Sequence, residues 1–234
     1  MDERSLREEV AAICRRTYER GLTSASGGNA SARLSDREFI IKPSGFSMGE
    51  VEAEDLVVVD MRGELLRGSH KPSSESRMHA AVYGALPEAG GVVHAHPPTA
   101  LAFAVAMIPL KPVTEQGEWY LGEVPVIPRI RFGTGELAEA VGRLAGSRSS
   151  ELKAHGIGIL LGGHGAVAIG KSLREAFFSM ELIEETARAA MGAAILGRAP
   201  GQALGGPSRR ARRRWPSGDR GRGRIGAGRT RRPA

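Results

Sequence analysis

Short aliphatic runs alternate along this chain with longer stretches whose apolar residues recur at helical spacing, and this limits the fold more than any other feature. The strand-like runs are Phe39-Ile40-Ile41, Leu56-Val57-Val58-Val59, Gly91-Val92-Val93-His94-Ala95-His96, Val124-Pro125-Val126-Ile127, Ile157 to Leu161 and Ala166 to Ile169. A turn at Asp60-Met61-Arg62-Gly63-Glu64 leads into one more. Between them lie helices. In residues 4–20, Leu6, Val10, Ile13 and Tyr18 mark the apolar face. Ser74 is placed to cap a helix from Glu75 to Tyr83, and Pro98 opens one running to Met107. Thr134 caps one reaching Leu144, and residues 172–196 form a long one. Ser24 to Ser31, rich in Gly, Ser and Asn, reads as a loop. No internal repeat interrupts the pattern, so the fold class is α/β, with helices covering a sheet.

The chain has 234 residues, 41% of them hydrophobic, which suffices for one core and is short for two ordinary domains. Its net charge of +7 is unevenly spread. Twelve of the 33 basic residues and one of the 26 acids fall in residues 197–234, so that segment carries +11 and the preceding 196 residues carry −4. The division predicts a folded domain over 1–196 and a disordered Arg/Gly/Pro-rich tail over 197–234. Such a tail either binds nucleic acid through phosphates, is a solvated appendage, or is a stretch translated out of frame from GC-rich coding sequence. Trp215 is its only aromatic, which argues against single-strand recognition and leaves only non-specific contact. The one cysteine, Cys14, excludes an intrachain disulfide and fits a reducing compartment. The charged opening Met1-Asp2-Glu3-Arg4-Ser5 has no apolar run behind it, and Gly91 to Leu110 is broken by two histidines and three prolines. The expectation is a soluble cytoplasmic protein that does not enter a membrane.

Among the six histidines, His94 and His96 stand two apart on a strand, so their side chains leave the same face. The pair either shares a divalent cation such as Zn²⁺ with a third ligand from elsewhere, or is a chance pair at a strand end. His164 sits between glycines after another apolar strand, where backbone can approach a ligand closely. In Lys71-Pro72-Ser73-Ser74-Glu75, two hydroxyls precede a helix N-terminus, a setting that suits a phosphate. Glu75 is there either a favourable charge at the helix dipole or a catalytic base. His79, four residues on, reads as packed or paired rather than as a ligand. Gly27-Gly28-Asn29 and Ser44-Gly45 are turns singly and an anion-binding surround jointly.

Taken in order, six segments resemble the class II aldolase/adducin family, in particular its zinc-dependent sugar-phosphate aldolases. They are Ser26 to Ser31, Lys42 to Gly45, Lys71 to Glu75, Val92 to His96, Phe132 to Ala138 and Gly163 to Gly165. The resemblance implies a three-layer α/β/α sandwich around a mixed, largely antiparallel sheet, assembled as a homotetramer. It implies one Zn²⁺ or other divalent transition metal per subunit, on His94, His96 and His164. Glu75 matches the acid that caps the empty metal site and then acts as base. Asn29, Ser44, Gly45, Ser73 and Ser74 match the substrate-phosphate pocket, with Gly28 beside it.

The reaction implied is cleavage of a fuculose-phosphate-like ketose 1-phosphate to dihydroxyacetone phosphate and an aldehyde, through a zinc-stabilised enediolate. The sister reactions of the family are pentulose-phosphate 4-epimerisation, methylthioribulose-phosphate dehydration and oxo-acid-phosphate decarboxylation. A non-catalytic adducin-like binding protein is the alternative of another class, and such proteins tend to lose the metal ligands retained here. Glu75 matches the aldolases, whereas the related epimerases carry Asp there. The aldolases also use a C-terminal-region tyrosine for proton transfer at the aldehyde oxygen, and this chain has no tyrosine beyond Tyr120.

Overall fold

In the computed structural model, which describes residues 2–197, eight strands appear. They are β1 (Asn29–Arg33), β2 (Glu38–Ile41), β3 (Val57–Asp60), β4 (Leu65–Arg67), β5 (Gly91–Ala95), β6 (Val126–Ile127), β7 (Ile157–Leu161) and β8 (Gly165–Gly170). The helices are α1 (Glu3–Glu19), α2 (Ser76–Ala85), α3 (Pro98–Ala106), α4 (Glu115–Tyr120), α5 (Gly135–Ser147), α6 (Ser149–Leu152) and α7 (Leu173–Ile195). The strands make one sheet in the order β4-β3-β2-β1-β5-β8-β7-β6. Every neighbouring pair is antiparallel except β6 with β7. The sheet is therefore mixed and largely antiparallel, as expected.

Period-two alternation divides the strand residues between two cores. Ile40, Val58, Val93, Ala95, Leu160, Ala166 and Ala168 join α1, α3 and α7 on one face. Phe39, Ile41, Val57, Val59, Val92, Ile159, Val167 and Ile169 join α2 and α5 on the other. Helices thus cover both faces, which is the three-layer arrangement. Each fully buried large side chain, such as Phe177 or Ile40, contributes roughly 1.5–3 kcal/mol by leaving water.

Several caps follow the expected chemistry. Thr134 accepts from Leu137 N–H and Ser172 from Glu175 N–H. Three local expectations need correction. Residues 29–31 are not loop but the start of β1, a central strand whose Ala30 and Ala32 are fully buried. Helix α2 begins at Ser76 with Glu75 as its N-cap, so Ser74 caps nothing. The reason is the preceding turn, in which the Ser73 carbonyl accepts from Ser76 N–H. The run at Val124 is a strand only at Val126–Ile127, because Pro125 lacks an N–H and Val124 pairs with Leu110 in an isolated bridge. Helices α4 and α6 were not anticipated. Among the described residues no helix is long and apolar enough to cross a membrane. The segment 197–234 expected to be a disordered tail lies, beyond Gly197, outside the described residues.

Candidate metal centre and its surroundings

Strand β5 delivers His94 near its end and His96 just beyond it, both toward the α2 side of the sheet. Strand β8 lies beside β5, so the turn that links β7 to β8 brings His164 to the same place. One ring nitrogen from each of the three lies within 4.8 Å of the others. The ring centroids are 4.7 Å apart for His94 and His164, 4.9 Å for His94 and His96, and 5.4 Å for His96 and His164. His94 Nδ1 donates to the Ala166 carbonyl at 2.9 Å, which leaves Nε2 pointing into the cluster. Its Nε2 stands 3.2 Å from that of His96. Gly27 makes room for this ring: a Cβ there would lie 2.8 Å from His96 Nδ1.

Glu75 enters from the N-terminus of α2. Its Oε2 is 3.1 Å from His94 Nε2, and its Oε1 is 3.5 Å from His164 Nε2. Behind the carboxylate runs a ladder between β1 and α2. Asn29 Nδ2 donates to Glu75 Oε2 at 3.0 Å, so Asn29 Oδ1 faces His79 Nε2, 2.5 Å away. His79 Nε2 is therefore the donor, and Nδ1 accepts from Ser31 Oγ at 2.6 Å. Ser31 Oγ in turn accepts from the Tyr83 hydroxyl at 2.8 Å. Two strand residues further out, the Arg33 guanidinium donates to the Tyr83 and Leu86 carbonyls, closing the C-terminal end of α2. The rungs match because two strand residues rise roughly 6.8 Å and four helical residues roughly 6 Å. Asn29, Ser31 and Arg33 thus meet Glu75, His79 and Tyr83 in order. His79 is paired rather than a member of the cluster, as its spacing suggested.

Electrostatics follow the same geometry. Burial works to raise the Glu75 carboxyl, but His94, His164 and Asn29 outweigh it and hold the group well below the usual carboxylate range. Burial lowers and Glu75 raises His94, and Glu75 prevails. Burial and the neighbouring His94 push His96 and His164 down to about 4, so both are neutral at pH 7. Burial, with His94 adding to it, pushes His79 down to about 3. Two buried atoms at the centre, Glu75 Oε1 and His164 Nδ1, have no hydrogen-bond partner. Three convergent imidazoles, two of them neutral, beside an under-satisfied carboxylate fit a divalent cation, and the three nitrogens with an open position suit zinc.

The two loops expected to hold phosphate come together. Pro43 and Pro72 form an isolated bridge, and Ser44 N–H donates to the Lys71 carbonyl at 2.9 Å. Ser44, Gly45 and Ser74 are exposed, whereas Ser73 is buried and its Oγ accepts from Glu75 N–H. Asn29 is buried, and its side chain is engaged by Glu75 and His79. Gly28, buried next to it with φ of 73°, carries the chain into β1. Sequence reasoning missed Lys42, whose buried ammonium donates to the Pro43 and Phe46 carbonyls and braces the Ser44–Gly45 turn. It also missed Ser31, Arg33 and Tyr83. Their signal was a period of two on one segment facing a period of four on another. His155 is half-buried before β7 and faces a separate cavity of about 610 Å³ with Arg20 and Tyr120.

Three histidines and a glutamate gathered at the centre of an α/β sheet define a candidate metal site of the kind metal-assisted enzymes use. The chain belongs to the Class II Aldolase and Adducin N-terminal domain family, which matches residues 8–191. It is 35% identical over 193 residues to 3-oxo-tetronate 4-phosphate decarboxylase of Haemophilus influenzae, covering 80% of this chain and 88% of that one. It is 34% identical over 181 residues to L-fuculose phosphate aldolase of Methanococcus vannielii, covering 77% and 93%. The crystal structure of YgbL from Klebsiella pneumoniae, described as an aldolase, epimerase or decarboxylase, superposes with a TM-score of 0.76 at 34% identity, covering 86% and 94%. The protein is thus an enzyme of this family. The relatives do not single out the aldolase reaction drawn from the sequence, and decarboxylases stand among those most similar to this chain.

Proposed function

We propose that residues 1–196 form a divalent-metal-dependent lyase that decarboxylates a 3-oxo-tetronate 4-phosphate, giving carbon dioxide and dihydroxyacetone phosphate. The observation that carries the reading is that, among the described residues, Glu75 is the only carboxylate or phenol placed beside the histidine cluster. Among the described residues the Tyr83 hydroxyl is engaged by Ser31, Tyr120 faces the separate cavity and the Tyr18 ring packs on Gly49. Aldol cleavage must remove a hydroxyl proton at the carbon that becomes the aldehyde. Decarboxylation needs no such base, since the substrate carboxylate is already ionised at pH 7. The identity to 3-oxo-tetronate 4-phosphate decarboxylases supports the same choice.

In this reaction the bond between C1 and C2 breaks. Its electron pair forms a C2–C3 double bond, the C3 oxygen takes the negative charge, and C1 leaves as carbon dioxide. His94, His96 and His164 would hold the metal, whose Lewis acidity polarises the C3 carbonyl and stabilises that charge. Glu75 then delivers a proton, taken from solvent, to C2 through Oε1. Asn29, set by His79, fixes Oε2 and so aims the other oxygen. Ser44, Gly45, Ser73 and Ser74, with the backbone at Gly28 and Asn29, take the phosphate and position C2 and C3. Zinc is the metal we assign. A cytoplasmic homotetramer is the matching assembly, supported by the single buried thiol and by exposed apolar side chains at Trp119, Tyr120, Phe178 and Ile195.

The second reading is aldol cleavage of a ketose 1-phosphate. It is favoured by glutamate at position 75 and by the L-fuculose phosphate aldolase relatives. Metal-free and zinc-reloaded protein would be given C1-labelled ¹³C 3-oxo-tetronate 4-phosphate, with carbonate and dihydroxyacetone phosphate followed by NMR. Zinc-dependent release at a rate well above the spontaneous one is expected. Release at the spontaneous rate, with dihydroxyacetone phosphate formed from L-fuculose 1-phosphate instead, would replace decarboxylation by aldol cleavage.

A further inference from the structure

We infer that Arg129 and Arg131 form a carboxylate subsite beside His164, a step that rests on the decarboxylase reading and names how its substrate is distinguished. The two side chains line a cavity of about 380 Å³ together with Phe132, Gly163 and His164. Ile130 between them packs on the α2 and α5 core, which sends its two neighbours outward. Glycine makes this approach possible. A Cβ on Gly162 would lie 2.9 Å from both Arg129 N and the Ile127 carbonyl. The Phe132 ring stands 6.1 Å from that of His164 and continues the same wall.

Neither arginine has an acidic partner among the described residues, whereas nine other arginines there are ion-paired. Two unpaired guanidinium groups next to a cation site repel both each other and the cation, so the cavity favours an occupant with more than one negative charge. A phosphate already has the Ser44–Gly45 and Ser73–Ser74 loops. The second anion of a 3-oxo acid phosphate is its carboxylate, whose planar pair of oxygens matches the guanidinium fork. The departing carboxylate loses its charge as carbon dioxide forms, so these contacts favour bound substrate over the transition state. Removing them should therefore raise KM without lowering kcat, leaving kcat/KM less affected than KM.

The test compares zinc-loaded wild type with Arg129→Met, Arg131→Met and the double variant. Erythronate 4-phosphate, which carries both anions and cannot decarboxylate, and dihydroxyacetone phosphate, which lacks the carboxylate, are titrated by calorimetry. The ratio of the two affinities should fall about tenfold per arginine removed, the size of one charge-assisted contact. KM for the 3-oxo acid phosphate should rise in step. Equal losses for both ligands would assign the arginines to phosphate and overturn the inference, as would no loss for either. If wild type binds both ligands with this discrimination yet releases no carbon dioxide, the reaction fails and the carboxylate subsite stands.

Discussion

Replacing Ser31 by alanine tests whether the ladder behind Glu75 works as one chain. Ser31, His79 and Tyr83 are almost wholly inaccessible, so solvent cannot replace a lost partner. The substitution removes one hydroxyl that serves two neighbours and strands His79 Nδ1 and the Tyr83 hydroxyl. Each stranded group costs about 1–3 kcal/mol, so Ser31→Ala should destabilise by about 2–4 kcal/mol. Tyr83→Phe alone leaves Ser31 still donating to His79 and should cost about 1 kcal/mol. In the double variant no phenol is stranded, so its loss should fall short of the sum by about 1–2 kcal/mol. Equilibrium urea denaturation, followed by circular dichroism at one protein concentration, reads all four corners of the cycle. Losses that add within about 0.5 kcal/mol would mean that the rungs act independently, and the ladder argument would be wrong. The catalytic counterpart is a drop in kcat larger than any rise in KM, because the aim of Glu75 changes while the phosphate loops do not.

Other outcomes follow from the same geometry. Glu75→Gln should retain bound zinc, measured by atomic emission, and lose at least about a hundredfold in turnover; an unchanged rate would remove Glu75 from proton transfer. His79 sits below its unfolded value of about 6.5, so the unfolded chain binds the extra proton first as pH falls. Its stability contribution is complete above pH 6.5 and is lost progressively toward pH 3. The ring nitrogen shifts of His79 should therefore keep the Nε2–H tautomer at pH 4.5, and a midpoint near 6.5 would contradict its burial. Cys14 is buried with its thiol pushed up to about 12 by burial, so the native protein should resist a charged thiol reagent at pH 8 until urea unfolds it.

The parts legible in the sequence were those with strong periodicity. His94 and His96 share a face because a strand alternates, and the apolar runs of β3, β5, β7 and β8 could hardly form anything else. What escaped was β1. Asn29-Ala30-Ser31-Ala32-Arg33 contains no β-branched or aromatic residue, so its propensity is that of a loop. It is a strand because β2 and β5 pair with it on both sides, and small residues let α1 settle against it. With β1 unseen, the partners of His79 were unseen too, and so was the contact of the Asn29 side chain with Glu75. The start of α2 escaped for a related reason. Ser73 and Ser74 look like caps, but the turn that ends in Glu75 uses Ser73 to fold the loop. Which reaction the centre performs was less legible still, because the ligands alone serve several outcomes and the surrounding groups choose among them.

The sheet is uneven in one respect, since among the described residues its only parallel strand is the two-residue β6 at one edge. The histidines hang from neighbouring strands well inside the sheet, and Glu75 from a helix laced to the strand beside them. Arg129 and Arg131 follow the edge strand, with their side chains exposed. A lineage can therefore exchange what it grasps without dismantling the apparatus that breaks the bond. New substrates are then reached by short mutational steps at the margin, while the inherited interior stays intact.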